Sequence, residues 1–168
     1  LDRIGNPDLT YGWAKLTGEI LARYARDAGV PVTVLRPFSG YGPDQDLDYP
    51  FPSLIARAVA GDDPFTVWGT GTQVRDWVHI DDVVATTLHC IEHGIDGPLN
   101  IGTGRATSFL QLAELVCAAA GYSPPILPLT DKPAGVAYRV ADVTTLRQVR
   151  VPVITLEDGI AQALEAAS

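Results

Sequence analysis

The sequence contains no methionine and only two cysteines, Cys90 and Cys117, among its 168 residues. Two cysteines cannot build the disulfide framework of a small secreted domain, so we expect two reduced thiols in the core. Without a methionine, residue 1 is not a translation start, and we expect a processed, nicked or truncated chain. There is no apolar run near the roughly 20 residues that span a bilayer. Leu1-Asp2-Arg3 does not resemble a signal peptide, so we expect a cytoplasmic protein.

The sequence also lacks any run of lysine or arginine, and its formal net charge is −8. Nucleic acids and anionic membranes both require a clustered positive field, so these two classes of partner are disfavoured. Apolar residues make up 46% of the chain and charged residues 19%, which is ordinary for a folded globular domain. Because the chain has no cationic run, any anionic ligand must be held by individually placed arginines or lysines.

Hydrophobic patterning predicts strands that alternate with helices, which indicates α/β architecture. Asn6-Pro7-Asp8 would begin a long first helix, and Gly29 would end it. The loop at Gly40-Tyr41-Gly42-Pro43 breaks the pattern. Further strands are expected at 32–35, 65–68, 74–80, 99–101 and 126–127, and further helices at 51–60, from 81 to about 93, from about 108 to 121, and near 144 and 156.

The first helix has two faces that can both be packed. One carries an apolar stripe and the other a set of small residues, through which a second helix could approach closely. We favour a dimer interface on the small-residue side, with a core contact as the alternative. The apolar stripe is Leu9, Trp13, Leu16, Ile20 and Tyr24, and the small residues are Ala14, Gly18, Ala22 and Ala25.

Tyr11 and Lys15 lie four residues apart, so both project from one side of this helix. A fixed cation beside a phenol stabilises the phenolate, which lets the phenol exchange a proton with a substrate hydroxyl or carbonyl. That chemistry suits hydride transfer. Taken alone, the pair is equally typical of a solvated helix face.

Several other polar motifs favour structural interpretations. Gly69-Thr70-Gly71 and Gly102-Thr103-Gly104 lack the full glycine spacing of a dinucleotide-binding loop, so we interpret both as turns. Asp81 and Asp82 are expected to cap a helix, and His79 is expected to be a structural residue. His89 and His93 share a helix face but have no third ligand, so no metal site is predicted.

Four motifs in order resemble the extended short-chain dehydrogenase/reductase family, specifically its NAD(P)-dependent nucleotide-sugar epimerases, dehydratases and reductases. A later segment is similar to the tail of GDP-sugar reductases and epimerases. The motifs are Tyr11-x-x-x-Lys15 with Glu19, then Leu35-Arg36-Pro37-Phe38-Ser39-Gly40-Tyr41-Gly42-Pro43, then Gly69-x-Gly71-x-x-x-Arg75-Asp76-Trp77-Val78-His79-Ile80-Asp81-Asp82, and then Asn100-Ile101-Gly102-Thr103-Gly104; the tail segment is Lys132-Pro133-Ala134-Gly135-Val136 with Arg139 and Asp142-Val143-Thr144.

This resemblance implies catalytic and cofactor-binding residues. Tyr11 would be the acid/base, and Lys15 would be its electrostatic partner and hold the nicotinamide ribose. Pro37 and Phe38 would lie against the nicotinamide of NAD or NADP.

The resemblance also implies a nucleotide-diphosphate sugar as substrate. Ser39 stands near the diphosphate where the family usually has asparagine, and Arg75 would reach the diphosphate with its forked guanidinium. An ordinary surface role for Arg75 is the alternative. Val67 and Trp68 would border the base, and Lys132 and Arg139 are further candidates for the anionic group that could equally lie in solvent.

The implied fold is the carboxy-terminal part of an extended short-chain dehydrogenase, with the end of the Rossmann sheet and the small substrate-binding domain. Residues 1–43 and about 76–104 would belong to the Rossmann-like core, and about 44–75 and 105–168 to the substrate-binding subdomain. The glycine-rich amino-terminal half would be absent, so the chain alone should bind NAD weakly or not at all. Its partner would be that half, or a second copy through the first helix. A non-catalytic nucleotide-sugar-binding or assembly module remains the alternative to an enzyme.

Overall fold

The computed structural model describes residue 7 and residues 9–167, so the expected cap residues Asn6 and Asp8 lie outside the described residues. The helices are α1 Leu9–Asp27, α2 Pro50–Val59, α3 Ile80–Glu92, α4 Phe109–Ala119, α5 Leu146–Val149 and α6 Leu156–Ala167. The strands are β1 Thr33–Pro37, β2 Ser39–Tyr41, β3 Phe65–Trp68, β4 Val74–Arg75, β5 Trp77–His79, β6 Gly97–Ile101, β7 Thr107–Ser108, β8 Ile126–Leu129 and β9 Tyr138–Arg139.

Most strand pairs are parallel, as expected where helices connect successive strands. β1 pairs with β6, β2 with β5, and β3 with β8, all in parallel. β4 forms the middle of a three-stranded sheet, antiparallel to β7 and parallel to β9. The predicted α/β fold is therefore confirmed.

Two clusters of buried side chains hold these elements together. The larger one joins α2, α4 and α6 to β3 and β5, and it includes Phe65, Leu112 and Ile160. The smaller one lies against β6 and includes Leu99 and Leu146. Cys117 belongs to the first cluster and Cys90 to the second, and both are buried free thiols, as the sequence predicts.

Three residues of the apolar stripe of α1 are exposed in the structure. Trp13, Ile20 and Tyr24 are all solvent-accessible, because α1 contacts β1 through another face. On that face the Glu19 carboxylate accepts two hydrogen bonds from the Arg36 guanidinium of β1. This ion pair lowers the pKa of the Glu19 carboxyl, chiefly through the hydrogen bond from Arg36.

Two expectations for residues 40–82 are wrong. The segment after β1 forms the strand β2 where a loop was expected, because its backbone pairs with β5. The single strand expected over 74–80 is divided at Asp76 into β4 and β5, which pair with different partners.

The expected aspartate caps of α3 are also wrong. The N-cap is His79, whose Nδ1 accepts a hydrogen bond from the backbone N–H of Asp81 at 3.2 Å. Asp82 is buried, and its carboxylate accepts the backbone N–H groups of Val153 and Ile154. Its role is therefore to anchor the segment before α6.

The described part of the chain contains no helix that is both long and apolar enough to cross a membrane. Nor does it contain a group of three histidine, cysteine or acidic side chains able to hold a metal ion. The imidazoles of His89 and His93 stack on each other, with ring centroids 4.1 Å apart.

Candidate functional site

Arg75 is the most buried of the predicted substrate-binding cations, with 8% of its surface exposed. Its Nη1 donates hydrogen bonds to the carbonyls of Val74 at 2.8 Å and Val136 at 2.6 Å. The guanidinium carbon also lies 5.6 Å from the ring centroid of Phe109. These contacts fix the direction of the side chain.

Arg139 lies next to Arg75, because β9 pairs with β4 in a register that places the two residues opposite each other. Its Nη2 donates to the hydroxyl of Ser39 at 3.3 Å, across 100 residues of sequence. Three of the predicted substrate-binding residues, Ser39, Arg75 and Arg139, therefore come together from three strands.

The neighbouring guanidinium groups form a site of positive charge in a chain whose net charge is −8. The pKa of Arg75 is lowered by burial first and by the charge of Arg139 second. Within the described residues, no carboxylate forms an ion pair with either group. Two adjacent cations without an acidic partner favour the binding of an anion that can accept several hydrogen bonds.

A close approach at Gly69 helps to bring these strands together. Gly69 has a φ of +68° in the turn after β3, and a Cβ there would stand 2.7 Å from the Cβ of Ala134. The missing side chain allows the turn to pack against Ala134, two residues before Val136, whose carbonyl accepts a hydrogen bond from the Arg75 guanidinium. The Gly-x-Gly motif therefore acts as a packed turn.

A residue that the sequence analysis did not single out lies beneath this cation pair. Asp76 is fully buried, and its carboxylate accepts four hydrogen bonds from residues 103, 104 and 141. An acidic residue in the middle of an alternating strand pattern is the signal that could have indicated it, because a charge is rarely placed there without partners.

The predicted base-contacting residues differ in exposure. Trp68 ends β3 with 57% of its surface exposed, whereas the side chain of Val67 is buried in the larger core cluster. Lys132 is exposed, and its backbone N–H donates to the carbonyl of Leu129, the residue opposite Trp68 in β8. Within residues 9–167, no hydrogen bond or ion pair joins Lys132 to the Arg75 and Arg139 pair.

Pro37 and Phe38 lie where β1 ends, and the backbone N–H of Phe38 donates to Ile101 of β6 at 2.9 Å. Both residues line a cleft of about 820 Å³. Tyr41 and His79 contribute to the same cleft, with their rings meeting edge to face at 5.3 Å.

Tyr11 and Lys15 lie together on α1, as their spacing predicts. The Lys15 ammonium is 5.4 Å from the centroid of the Tyr11 ring, within the range of a cation–π contact. Tyr11 has 69% of its surface exposed, and Lys15 is exposed as well. Neither residue lines the cleft beside Pro37 and Phe38.

Comparison with known proteins places these features in one family. The family described as "NAD dependent epimerase/dehydratase" matches residues 2–102. A dTDP-4-dehydro-6-deoxy-D-allose reductase of Streptomyces bikiniensis is 34% identical over 147 residues, which are 84% of this chain and 45% of the relative.

Solved structures of two epimerases are also similar to this chain. UDP-glucose 4-epimerase of Thermotoga maritima, determined with UDP-glucose, is 33% identical with a TM-score of 0.79, over 93% of this chain and 52% of that chain. UDP-glucuronic acid 4-epimerase of Bacillus cereus, in complex with UDP-glucuronic acid and NAD, is 31% identical with a TM-score of 0.84, over 99% of this chain and 55% of that chain.

The chain thus spans about half the length of the relatives that it matches. Solved structures of this fold hold NAD or NADPH, and the family description specifies NAD dependence. Both the family match, which extends over more than half of the chain, and the identity of the relatives support one assignment. The chain belongs to the NAD-dependent epimerase/dehydratase family of nucleotide-sugar epimerases, dehydratases and reductases.

Proposed function

We propose that this chain supplies the acid/base pair and the diphosphate-binding cations of an enzyme that transforms a nucleotide-diphosphate sugar by hydride transfer. The observation that carries the proposal is the meeting of Ser39, Arg75 and Arg139, which lie far apart in sequence. Two guanidinium groups and a hydroxyl offer many donors to a diphosphate, which offers only acceptors. The exposed indole of Trp68 would border the base, and Lys132, which is exposed near the end of β8, would complete that end of the site.

In this proposal Tyr11 exchanges a proton with a hydroxyl of the sugar. The phenolate accepts the hydroxyl proton as the carbon–oxygen bond becomes a carbonyl, and the phenol returns a proton in the reverse step. The Lys15 ammonium lies 5.4 Å from the centroid of the Tyr11 ring, so in this proposal it interacts with the phenolate that forms during proton exchange. NAD or NADP supplies the hydride acceptor when it is bound.

The described residues fit the nicotinamide end of such a cofactor. Pro37 and Phe38 line a cleft of about 820 Å³, which is roomy enough for a nicotinamide ring. The pyrophosphate end requires open backbone N–H groups at a helix start. The turn at Gly71 is instead filled, since a Cβ there would meet Leu110 at 2.6 Å. We therefore propose that the pyrophosphate site lies in a further segment of the parent protein.

A second candidate function is a non-catalytic nucleotide-sugar-binding or assembly module. The exposure of Tyr11, 69% of its surface, favours this alternative, since general acid/base catalysis works best in a site that excludes water. In the enzyme, the further segment or a second copy of the chain would cover Tyr11 and Lys15.

The two candidates differ in what the tyrosine does. In the complete parent protein, Tyr11→Phe should abolish turnover of its nucleotide-sugar substrate and leave substrate affinity nearly unchanged. Tyr24→Phe is the matched control, because Tyr24 lies on the same helix with the same 69% exposure. A Tyr11→Phe variant as active as Tyr24→Phe would show that the acid/base assignment is wrong.

Binding by the 168-residue chain gives an independent test. Tryptophan fluorescence is followed during titration with UDP-glucose, GDP-mannose and, separately, NADH. We expect a response to one of the nucleotide sugars that disappears in Arg75→Ala, and weak or no response to NADH. Tight NADH binding would contradict the proposal that the pyrophosphate site lies elsewhere.

A further inference from the structure

The most densely hydrogen-bonded side chain beside the cation pair is the carboxylate of Asp76. Its Oδ1 accepts the backbone N–H of Thr103 at 2.8 Å and the hydroxyl of the same residue at 2.7 Å. Its Oδ2 accepts the backbone N–H of Gly104 at 2.9 Å and that of Ala141 at 3.1 Å. With both oxygens doubly occupied and no exposed surface, the carboxylate has little remaining capacity for a further hydrogen-bond partner.

Each member of the proposed diphosphate site is tied to this one residue. Arg75 precedes Asp76 in the chain, and the backbone N–H of Ser39 donates to the carbonyl of Asp76 at 3.0 Å. Arg139 lies two residues before Ala141, whose N–H donates to the Asp76 carboxylate. The buried residue Asp76 therefore connects the three strands that carry Ser39, Arg75 and Arg139.

We propose that Asp76 is a positioning residue that fixes the separation of the Arg75 and Arg139 guanidinium groups for a substrate diphosphate. The inference rests on the proposed function of these two arginines. Like charges on adjacent strands repel each other, and β9 is only two residues long and exposed, so it cannot hold Arg139 in place by itself. The hydrogen bond from the Ala141 N–H to the Asp76 carboxylate anchors the chain just after β9.

The surroundings of Asp76 fit a dedicated anchor. A Cβ at Gly102 would come 2.7 Å from the Cβ of Ala141 and 2.5 Å from the Asp76 carboxylate, so a glycine is needed for the loop to close around the charge. All four partners are donors, which a carboxylate can satisfy. In Asp76→Asn, an amide NH₂ would face at least one of these donors and repel it.

The test compares Asp76→Asn with Asp82→Asn in the 168-residue chain. Asp82 is a matched control, because it is also buried and also accepts backbone N–H groups, but its partners are residues 153 and 154, and no hydrogen bond among the described residues joins it to Arg75 or Arg139. Affinity for UDP and for GDP is measured by calorimetry at one salt concentration, and thermal unfolding is recorded for each variant. We expect Asp76→Asn to weaken diphosphate binding about ten-fold or more, and Asp82→Asn to change it less than about two-fold.

A double-mutant cycle separates positioning from general loss of structure. If Asp76 acts through Arg139, then Asp76→Asn should cost little further affinity when Arg139→Gln is already present. Equal losses in both backgrounds would overturn the positioning role. If Arg75→Ala and Arg139→Gln leave UDP and GDP binding unchanged, the proposed diphosphate site itself fails, which is a different outcome.

Should Asp76→Asn not fold, Thr103→Val decides the question, since it removes one hydroxyl donor and keeps the carboxylate. The expected loss of UDP or GDP affinity is then about three-fold. Unchanged affinity in a folded Thr103→Val variant would contradict the proposal, and so would a folded Asp76→Asn variant that binds as tightly as Asp82→Asn.

Discussion

Adding one methyl group at Gly159 should destabilise this protein, whereas the same addition at Gly18 should stabilise it. Both glycines lie inside helices, Gly159 in α6 and Gly18 in α1. A Cβ at Gly159 would overlap the Tyr41 hydroxyl and come 2.7 Å from the ring carbon Cε2, whereas a Cβ at Gly18 would meet nothing within 4 Å. Movement of the Tyr41 ring is restrained, because the ring stacks on Phe51 at 4.0 Å and meets His79 at its edge.

The magnitude follows from two opposing effects. Replacing glycine with alanine inside a helix gains about 0.5–1 kcal/mol, because alanine loses less backbone entropy. Overpacking a buried contact costs about 1–3 kcal/mol. The clash at Gly159 is with a restrained aromatic ring, so we expect a cost in the upper part of that range. Gly159→Ala should therefore lower the free energy of unfolding by about 1–2 kcal/mol, and Gly18→Ala should raise it by about 0.5–1 kcal/mol.

For a chain of 168 residues, these changes correspond to a Tm about 2–8 °C lower for Gly159→Ala and about 1–4 °C higher for Gly18→Ala. Both are measured by circular dichroism melting, after reversibility has been checked. Tyr41→Phe removes the hydroxyl, which is buried without a hydrogen-bond partner among the described residues, so the double variant Gly159→Ala/Tyr41→Phe should recover part of the loss. A Tm for Gly159→Ala as high as that of Gly18→Ala would refute the packing argument.

The features that the sequence predicts well are determined by neighbours in the chain. α1 ends at Asp27 and is followed by Gly29 with a φ of +84°, a backbone conformation that side chains with a Cβ rarely adopt. β3 has the predicted bounds, because a short run of strand-forming residues is followed at once by a glycine turn. In both cases the residues close by in the sequence are sufficient to determine where the element ends.

The features that the sequence predicts poorly depend on interactions with residues far along the chain. Two aspartates at the start of α3 have the pattern of helix caps, yet Asp82 turns inward to backbone groups 71 residues away. The division between β4 and β5 arises at Asp76, whose partners begin 27 residues later. Similarity to known enzymes indicated Arg75 and Arg139 as candidates, but their side-by-side placement follows from the pairing of β4 with β9, for which neither two-residue strand gives a detectable pattern.

Two further predictions follow from buried titratable groups. Cys90 and Cys117 are buried and burial raises the pKa of both thiols, so a thiol-reactive dye should label them only at the rate of unfolding; fast labelling of the native chain would contradict their placement. Burial first, and the neighbouring Cys117 thiol second, raise the pKa of Tyr122 from 10.0 to about 12. Because the folded state holds this proton more tightly than the unfolded state, its contribution to stability is complete below pH 10 and is lost as the pH rises towards about 12. Urea unfolding across that interval should therefore show a fall in stability that is smaller in Tyr122→Phe, and an equal fall in both proteins would show that Tyr122 titrates normally.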